Sequence, residues 1–479
     1  MSLKTKAFSG VIWTTIQQFS VQIINFVVQI ILARLLLPEM FGLIAMIQIF
    51  IVIGQTLMDG GMTSSLIRTS NADQGDYSTV FFTNVFISLC VYIAVFLSAP
   101  SIARFYGEPV LENLIKVFSI IFVIRSFVAV QTTKLTKEMN FKLQMMMQIP
   151  STIVGGMVGI YMAVNGYGVW SLVLLNLVQA LLFTIQHWFF SKWKPALVFD
   201  YAKLKTHFSF GIKLTLSSFL DTLYNNSYTI VIEKTFSPAL VGYYTQAETL
   251  RLFPVNQLST ALGKVTYPLF STIQNDDVKL KSIYKKLMEV VLLIVIPIMA
   301  ILLGVAEPLF TFVLGEKWLP AVPIFQILCL ASIVRPVSTY NLNILKVKGR
   351  TDLFLRIEVF KKAIGVMTLL CSLQYGLITM VWGLSITSIL FLFVNGFYSG
   401  RLINYSVYQQ IKDVTPLFLF SLVSFTIMVT LGKLYVVMVT WMQIVLGIVT
   451  FMIPYCIFCW MFRRALIFEV LTLLKHKNV

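Results

Sequence analysis

Apolar segments long enough to cross a bilayer recur from one end of this chain to the other, and no stretch between them is long enough to fold as a separate soluble domain. A span needs roughly 20 predominantly apolar residues. Helices are predicted near 8–36, 40–65, 77–99, 111–133, 142–164, 168–190, 208–233, 239–263, 283–304, 320–345, 353–374, 377–400, 414–432 and 436–462. The expected fold is therefore an all-α integral membrane protein of about fourteen transmembrane helices.

Composition agrees. Of 479 residues, 58% are apolar and 12% charged, whereas soluble domains carry roughly 25% charged residues. The first apolar segment, Phe8 to Leu37, exceeds a signal-peptide core and lacks a small-residue cleavage site, so it is expected to be the first membrane helix. Cys90, Cys329, Cys371, Cys456 and Cys459 all fall in apolar segments, where thiols behave as small hydrophobes and point to neither disulfides nor metal.

The formal charge of +17 is a topology signal. With both termini placed in the cytoplasm, 25 of the 37 Lys and Arg residues fall in links on that side and only Arg34, Arg104, Lys234, Lys317 and Lys433 on the other, the asymmetry that translocation imposes. Charge dispersed over many links makes no nucleic-acid footprint.

An internal repeat gives the domain plan. Asn25, Arg34, Pro38 and Gly42 return as Asn225, Lys234, Pro238 and Gly242, each 200 residues on. Farther along, Gly107-Glu108 returns as Gly315-Glu316, Arg125 as Arg335 and Tyr167-Gly168 as Tyr375-Gly376, with displacements of 208 to 210. Collinear agreement over six helices predicts duplication. The lobes would be 1–206 and 207–405, followed by helices 13 and 14 in 406–479. Units with an even helix number are parallel repeats, and a central cleft between them is expected.

Lipid cannot satisfy polar side chains, so polar stripes mark faces turned to protein or water. Gln18, Gln22, Asn25 and Gln29 lie on one face of helix 1, and Ser218, Asp221 and Asn225 repeat the pattern on helix 7. Arg125, Arg251, Arg335, Lys361 and Lys362 lie inside predicted helices, where a basic group costs at least about 2.5 kcal/mol on insertion scales. They need water, an acidic partner or an anionic ligand. Glu358 stands four residues before Lys362, and Glu248 three before Arg251, so these pairs can neutralise themselves. Arg125 and Arg335 are related by the repeat, and a guanidinium fork suits phosphate. The candidate anion site is thus Arg125, Arg335, Arg251, Lys361 and Lys362. Candidate glycan contacts are Gln18, Gln22, Asn25, Asn225 and Tyr244, and candidate ion-coupling carboxylates are Asp59, Asp221 and Glu248. Pro254, Pro297 and Pro336 are expected to interrupt their helices. The three histidines, His187, His207 and His476, sit at helix ends or in the tail, and no catalytic motif, metal cluster or cofactor fingerprint is visible.

The runs F-S-G-V-I-W (8–13), L-A-R-L-L-L-P-E-M-F-G (32–42), K-x-K-G-R-T-D-L (346–353) and E-V-F-K-K (358–362) resemble the polysaccharide transporter branch of the multidrug, oligosaccharidyl-lipid and polysaccharide exporter superfamily, above all its Wzx-type, colanic-acid-exporter-like members. That resemblance implies a flippase moving an undecaprenyl-diphosphate-linked oligosaccharide across the bacterial inner membrane by alternating access. It would need no cofactor and would work beside a polysaccharide polymerase or co-polymerase. Basic groups would hold the diphosphate, and amides with Trp13 and Tyr244 would contact sugar. Two other readings compete. A cation-coupled drug exporter of the same superfamily would need an excess of buried carboxylates, and a membrane-embedded glycosyltransferase or polymerase would need catalytic carboxylates or a large extramembrane loop. Neither feature is present.

Overall fold

A computed structural model describes the backbone of residues 3–464 and 466, and their side chains except at 3–12, 224, 225, 256–265, 267, 268 and 351. The chain forms two compact units, Met1–Gly242 and Tyr243–Val479. The first holds α1 (Leu3–Leu35), α2 (Pro38–Asp59), α3 (Met62–Arg68), α4 (Gln74–Tyr106), α5 (Val110–Phe118), α6 (Ile120–Lys137), α7 (Phe141–Val164), α8 (Trp170–Phe190), α9 (Tyr201–Asn225) and α10 (Ser227–Thr235). Helix α11 (Pro238–Thr272) runs out of it. The second continues with α12 (Asp277–Gly304), α13 (Ala306–Val313), α14 (Val322–Val347), α15 (Thr351–Ser372), α16 (Leu377–Leu402), α17 (Val407–Tyr435) and α18 (Thr440–Phe462). No strand occurs among the described residues.

Eleven stretches are long and apolar enough to cross a membrane; α5 with α6 counts as one, Val110–Lys137, and α14 extends back to Glu316. Helices α9, α11 and α15, of 25, 35 and 22 residues, are long enough but more polar. These stretches overlap the predicted segments, but the segments predicted near 40–65, 111–133 and 208–233 are each broken into two helices. The three polar ones carry Lys213 and Asp221, Glu248 and Arg251, and Arg356 to Lys362, so they are the helices that lipid alone cannot surround.

In the first unit α7 packs between α1 and α8, while α4, α6 and α9 gather around α2 and α3. Gly155 and Gly159 of α7 admit α8 so closely that a Cβ at Gly155 would stand 2.9 Å from the Leu175 carbonyl oxygen, the close packing that small residues allow between membrane helices. Helix α9, first of the expected second lobe, lies here against α2, α3 and α4. Its Gly211 meets the left-handed Gly60-Gly61 turn backbone to backbone, where a Cβ at Gly211 would fall 2.2 Å from the Gly60 carbonyl oxygen.

The starts of α2 and α11 approach each other in a reciprocal way. A Cβ on Gly42 would lie 1.8 Å from the Pro238 carbonyl oxygen, and one on Gly242 would lie 2.0 Å from that of Pro38.

In the second unit α14 packs on α12 and α16, α15 on α16, and the pair α17–α18 on α12. Pro254, Pro297 and Pro336 lie within α11, α12 and α14, each of which continues as a single helix past its proline.

Candidate functional site

Arg125 lies in the middle of the span Val110–Lys137, yet its side chain is exposed. It lines a cavity of about 470 Å³ in the first unit, together with Thr63, Thr132, Thr136, Gln148, Gln179 and apolar residues. Among the described residues Arg125 has neither an ion pair nor a hydrogen bond. Helical spacing explains the arrangement, since 125, 128, 129, 132 and 136 fall on one face of α6. The Gln148 and Gln179 amides both donate to Thr152 Oγ1, at 3.3 and 3.1 Å, which leaves their carbonyl oxygens free to accept. Asp59 ends α2 beside this cavity, bonded to Thr63 and the Gly61 amide. A lone guanidinium ringed by neutral donors and acceptors suits a phosphate attached to a hydroxyl-rich group.

Arg335 is likewise exposed in mid-span, in Glu316–Val347 of the second unit, and is without an ion pair among the described residues. Its neighbour Arg251 is committed: Nε and Nη2 grip both oxygens of Glu248 at 2.6 to 2.8 Å and Nη1 donates to Ser332 Oγ at 2.8 Å. Glu248 is correspondingly occupied. Lys361 pairs with Glu358 at 2.5 Å. Lys362, four residues after Glu358, is half-buried and engaged as well.

The α1 amides Gln18, Gln22 and Asn25 are exposed, while Gln29 is half-buried and engaged. Tyr244 is buried and engaged, and Asp221 is exposed and engaged. The side chain of Asn225 lies outside the described residues. The structure thus gathers Arg125 with threonines and glutamines that sequence reasoning had not singled out. It leaves Tyr244 and Lys361 away from open space.

Three further features were not foreseen. His207 of α9 bridges Ser65 of α3, Oγ to Nδ1 at 2.8 Å, and Asp76 of α4, Oδ1 to Nε2 at 3.0 Å. The order Ser, His, Asp is that of a hydrolytic triad, but Ser65 and His207 are 1% and 2% exposed, so no substrate reaches the hydroxyl and the chain of bonds is a fastening. Lys203 extends it, reaching Asp73 at 2.5 Å; that ammonium, with the Asp76 amide, holds the Asp73 carboxyl well below the usual carboxylate range. At the far end of α4, the Tyr106 hydroxyl donates to Glu233 of α10 at 3.2 Å, and Glu233 is 1% exposed.

The third is an apolar groove in the second unit. One stretch of about 340 Å³ is lined by Ile296, Met299, Ile333, Phe418, Leu422 and Phe425, and Ile333 and Phe418 continue it into a narrower stretch beside Val414. Helix α17 forms one wall. Its partner α18 is pinned by Arg463, which meets Glu289 of α12 at 3.3 Å and the Asp413 carbonyl at 2.9 Å.

A multi-pass helical bundle with unpaired guanidinium groups in mid-span is the build of a membrane transporter. The fold matches one: 95% of this chain superposes on 100% of a solved chain described as lipid II flippase MurJ in an inward closed conformation, with a TM-score of 0.74 and 17% sequence identity. The chain belongs to the polysaccharide biosynthesis protein family, whose profile matches residues 31–323. It is similar to the lipopolysaccharide biosynthesis protein WzxC of Escherichia coli K12, with 28% identity over 75% of this chain and 74% of the relative. It is also similar to the succinoglycan biosynthesis transport protein ExoT of Rhizobium meliloti, with 24% identity over 68% and 67%. The protein is therefore a multi-pass membrane protein of the polysaccharide biosynthesis protein family, with a fold shared with a solved membrane flippase.

Proposed function

We propose that this protein is a flippase for an oligosaccharide repeat unit linked to undecaprenyl diphosphate, carrying it by alternating access from the cytoplasmic to the outer leaflet of a bacterial inner membrane. Both termini are cytoplasmic in this reading, which follows the distribution of Lys and Arg. The helices divide functionally as 1–206, 207–405 and 406–479, and a polysaccharide polymerase or co-polymerase takes up the product.

The observation that carries the reading is the unpaired Arg125 guanidinium in a cavity lined by threonines, two glutamines and apolar residues. Such a site fits a diphosphate followed by sugar hydroxyls. Arg335 is its repeat-related counterpart in the second unit. The exposed α1 amides add glycan contacts, and the apolar groove along α17 accommodates part of a polyprenyl chain. Asp59, beside the Arg125 cavity, is the favoured carboxylate for ion coupling, because Glu248 is held by Arg251.

The test is surface polysaccharide measured in cells carrying Arg125→Ala, Arg335→Ala or both, with protein abundance followed in the membrane fraction. Loss of polysaccharide at normal abundance is expected, with partial retention in Arg125→Lys, which keeps the charge but not the fork. Normal export by the double variant would overturn the assignment.

A further inference from the structure

A second basic cleft lies away from these groups, on the flank of the second unit. Helices α15 and α16 pack on each other and leave between them a cavity of about 780 Å³, lined by Arg356, Phe360, Phe393, Phe397, Tyr398 and neighbouring aliphatic residues. The surface around it is apolar: Leu355, Val359, Phe360, Leu390, Phe393 and Phe397 are all exposed. Such a face in a membrane protein is turned to lipid.

Two guanidinium groups stand in this apolar setting without an anion. Nearby, Arg350 is paired with Asp352 at 3.0 Å, and Lys348 with Asp277. Arg356, by contrast, is exposed and has no ion pair or hydrogen bond among the described residues. Arg401 is stacked on the Phe397 ring, 4.2 Å from its centroid, and likewise meets no carboxylate there. Phe397 therefore joins the two, since it lines the cavity that Arg356 enters and carries Arg401 on its face. Arg356 lies five residues into α15, about 7.5 Å along the axis, and Arg401 is the penultimate residue of α16. Both lie near helix ends, at the end of the unit where Lys346, Lys348 and Arg350 concentrate positive charge, and basic residues at membrane-helix ends favour the level of the headgroup phosphates.

We propose that the cleft between α15 and α16 binds an anionic glycerophospholipid, its phosphate held by Arg356 and Arg401 and an acyl chain laid along Phe360, Phe393 and Phe397. The lining argues for a phospholipid over a glycan-bearing lipid. Apart from Arg356 and Tyr398 it contains no side chain able to hydrogen-bond, whereas a sugar needs several. Two guanidinium groups without a carboxylate also favour an anionic over a zwitterionic headgroup.

The test uses the purified full-length protein in mixed micelles of phosphatidylglycerol and phosphatidylcholine, with retained lipids counted by native mass spectrometry. The readout is independent of export and does not rest on the proposed function. Wild type retains phosphatidylglycerol preferentially. Arg356→Ala lowers the preference about fivefold, the equivalent of roughly 1 kcal/mol per basic residue near an anionic surface. Arg356→Ala with Arg401→Ala abolishes it, and Arg356→Lys retains most of it. Arg464→Ala, at another basic position, leaves it unchanged. Equal retention of the two lipids by wild type, or an undiminished preference in the double variant, overturns the proposal. Displacement of phosphatidylglycerol by inorganic phosphate at equal concentration would assign the site to a free anion, and displacement by undecaprenyl diphosphate at equal mole fraction would assign it to the transported cargo; either result also overturns it.

Discussion

The reciprocal contact of Gly42 and Gly242 makes a quantitative prediction. In Gly42→Ala the new Cβ starts 1.8 Å from the Pro238 carbonyl oxygen and 2.6 Å from its carbon, and Cβ contacts under 3.0 Å essentially do not occur. The starts of α2 and α11 must therefore part by about 1.2 Å, with helix backbone on both sides and no rotamer to absorb the shift. Overpacking of this kind costs about 1–3 kcal/mol, and rigid backbone places the cost at the upper end. Gly304→Ala is the matched comparison. Its Cβ starts as close, 1.9 Å, but to Met428 Cε, the free end of an adaptable side chain. The helix propensity gained on replacing Gly, up to about 1 kcal/mol, offsets much of the remaining cost there. Denaturant-induced unfolding of the purified proteins should place Gly42→Ala about 2 kcal/mol below Gly304→Ala. Gly242→Ala should match Gly42→Ala, since its Cβ meets Pro38 at 2.0 Å. Once one substitution has parted the helices the second finds room, so the double variant should lose at least about 1 kcal/mol less than the sum. Equal stability of Gly42→Ala and Gly304→Ala, or strict additivity of the Gly42 and Gly242 effects, would refute the reasoning.

Cysteines placed at Gln18, Gln22 and Asn25 in a cysteine-free background should react with a membrane-impermeant thiol reagent, because these positions are exposed, while Leu32, at 1% exposure, should not; silence at all three amide positions would contradict a water-facing stripe. Asp76→Ala removes the partner of a 2% exposed His207 and opens the capping box of α4, so a loss of about 1–3 kcal/mol is expected in thermal unfolding, with a smaller loss for Ser65→Ala. Arg463→Ala strands Glu289, which is 8% exposed, at a cost of about 3 kcal/mol. Glu289→Gln in the same background should recover part of that by removing the stranded charge, and no recovery would mean that Arg463 acts through packing alone.

Periodicity and hydropathy locate the long apolar helices, because bilayer thickness imposes their length whatever the tertiary contacts, but not the breaks that set off α3, α5, α10 and α13. The partners of polar residues were less legible. Glu358 lies three residues from Lys361 and four from Lys362, both spacings bring side chains together on a helix, and the spacing alone does not single out the Lys361 pair at 2.5 Å. His207 was passed over as a helix-end histidine, since its partners Ser65 and Asp76 are 142 and 131 residues away in sequence and no local pattern encodes such pairings.

The Arg125 cavity stands between these cases. Its arginine was visible as a basic group in an apolar run, and Thr132 and Thr136 could have been found with it, because they share its face at helical spacing. Gln148 and Gln179 could not, for they come from α7 and α8 and reach the cavity only through helix packing. The difference between Arg125 and Arg251 makes the same point energetically. Both are basic groups in membrane helices, but Arg251 has Glu248 one turn away and Ser332 across from it, so its insertion cost is met inside the protein. Arg125 has no such partner among the described residues, and that cost must be met by water or by an anion entering the cavity. A charge kept at that cost without an internal partner marks the place where ligand recognition should be sought first.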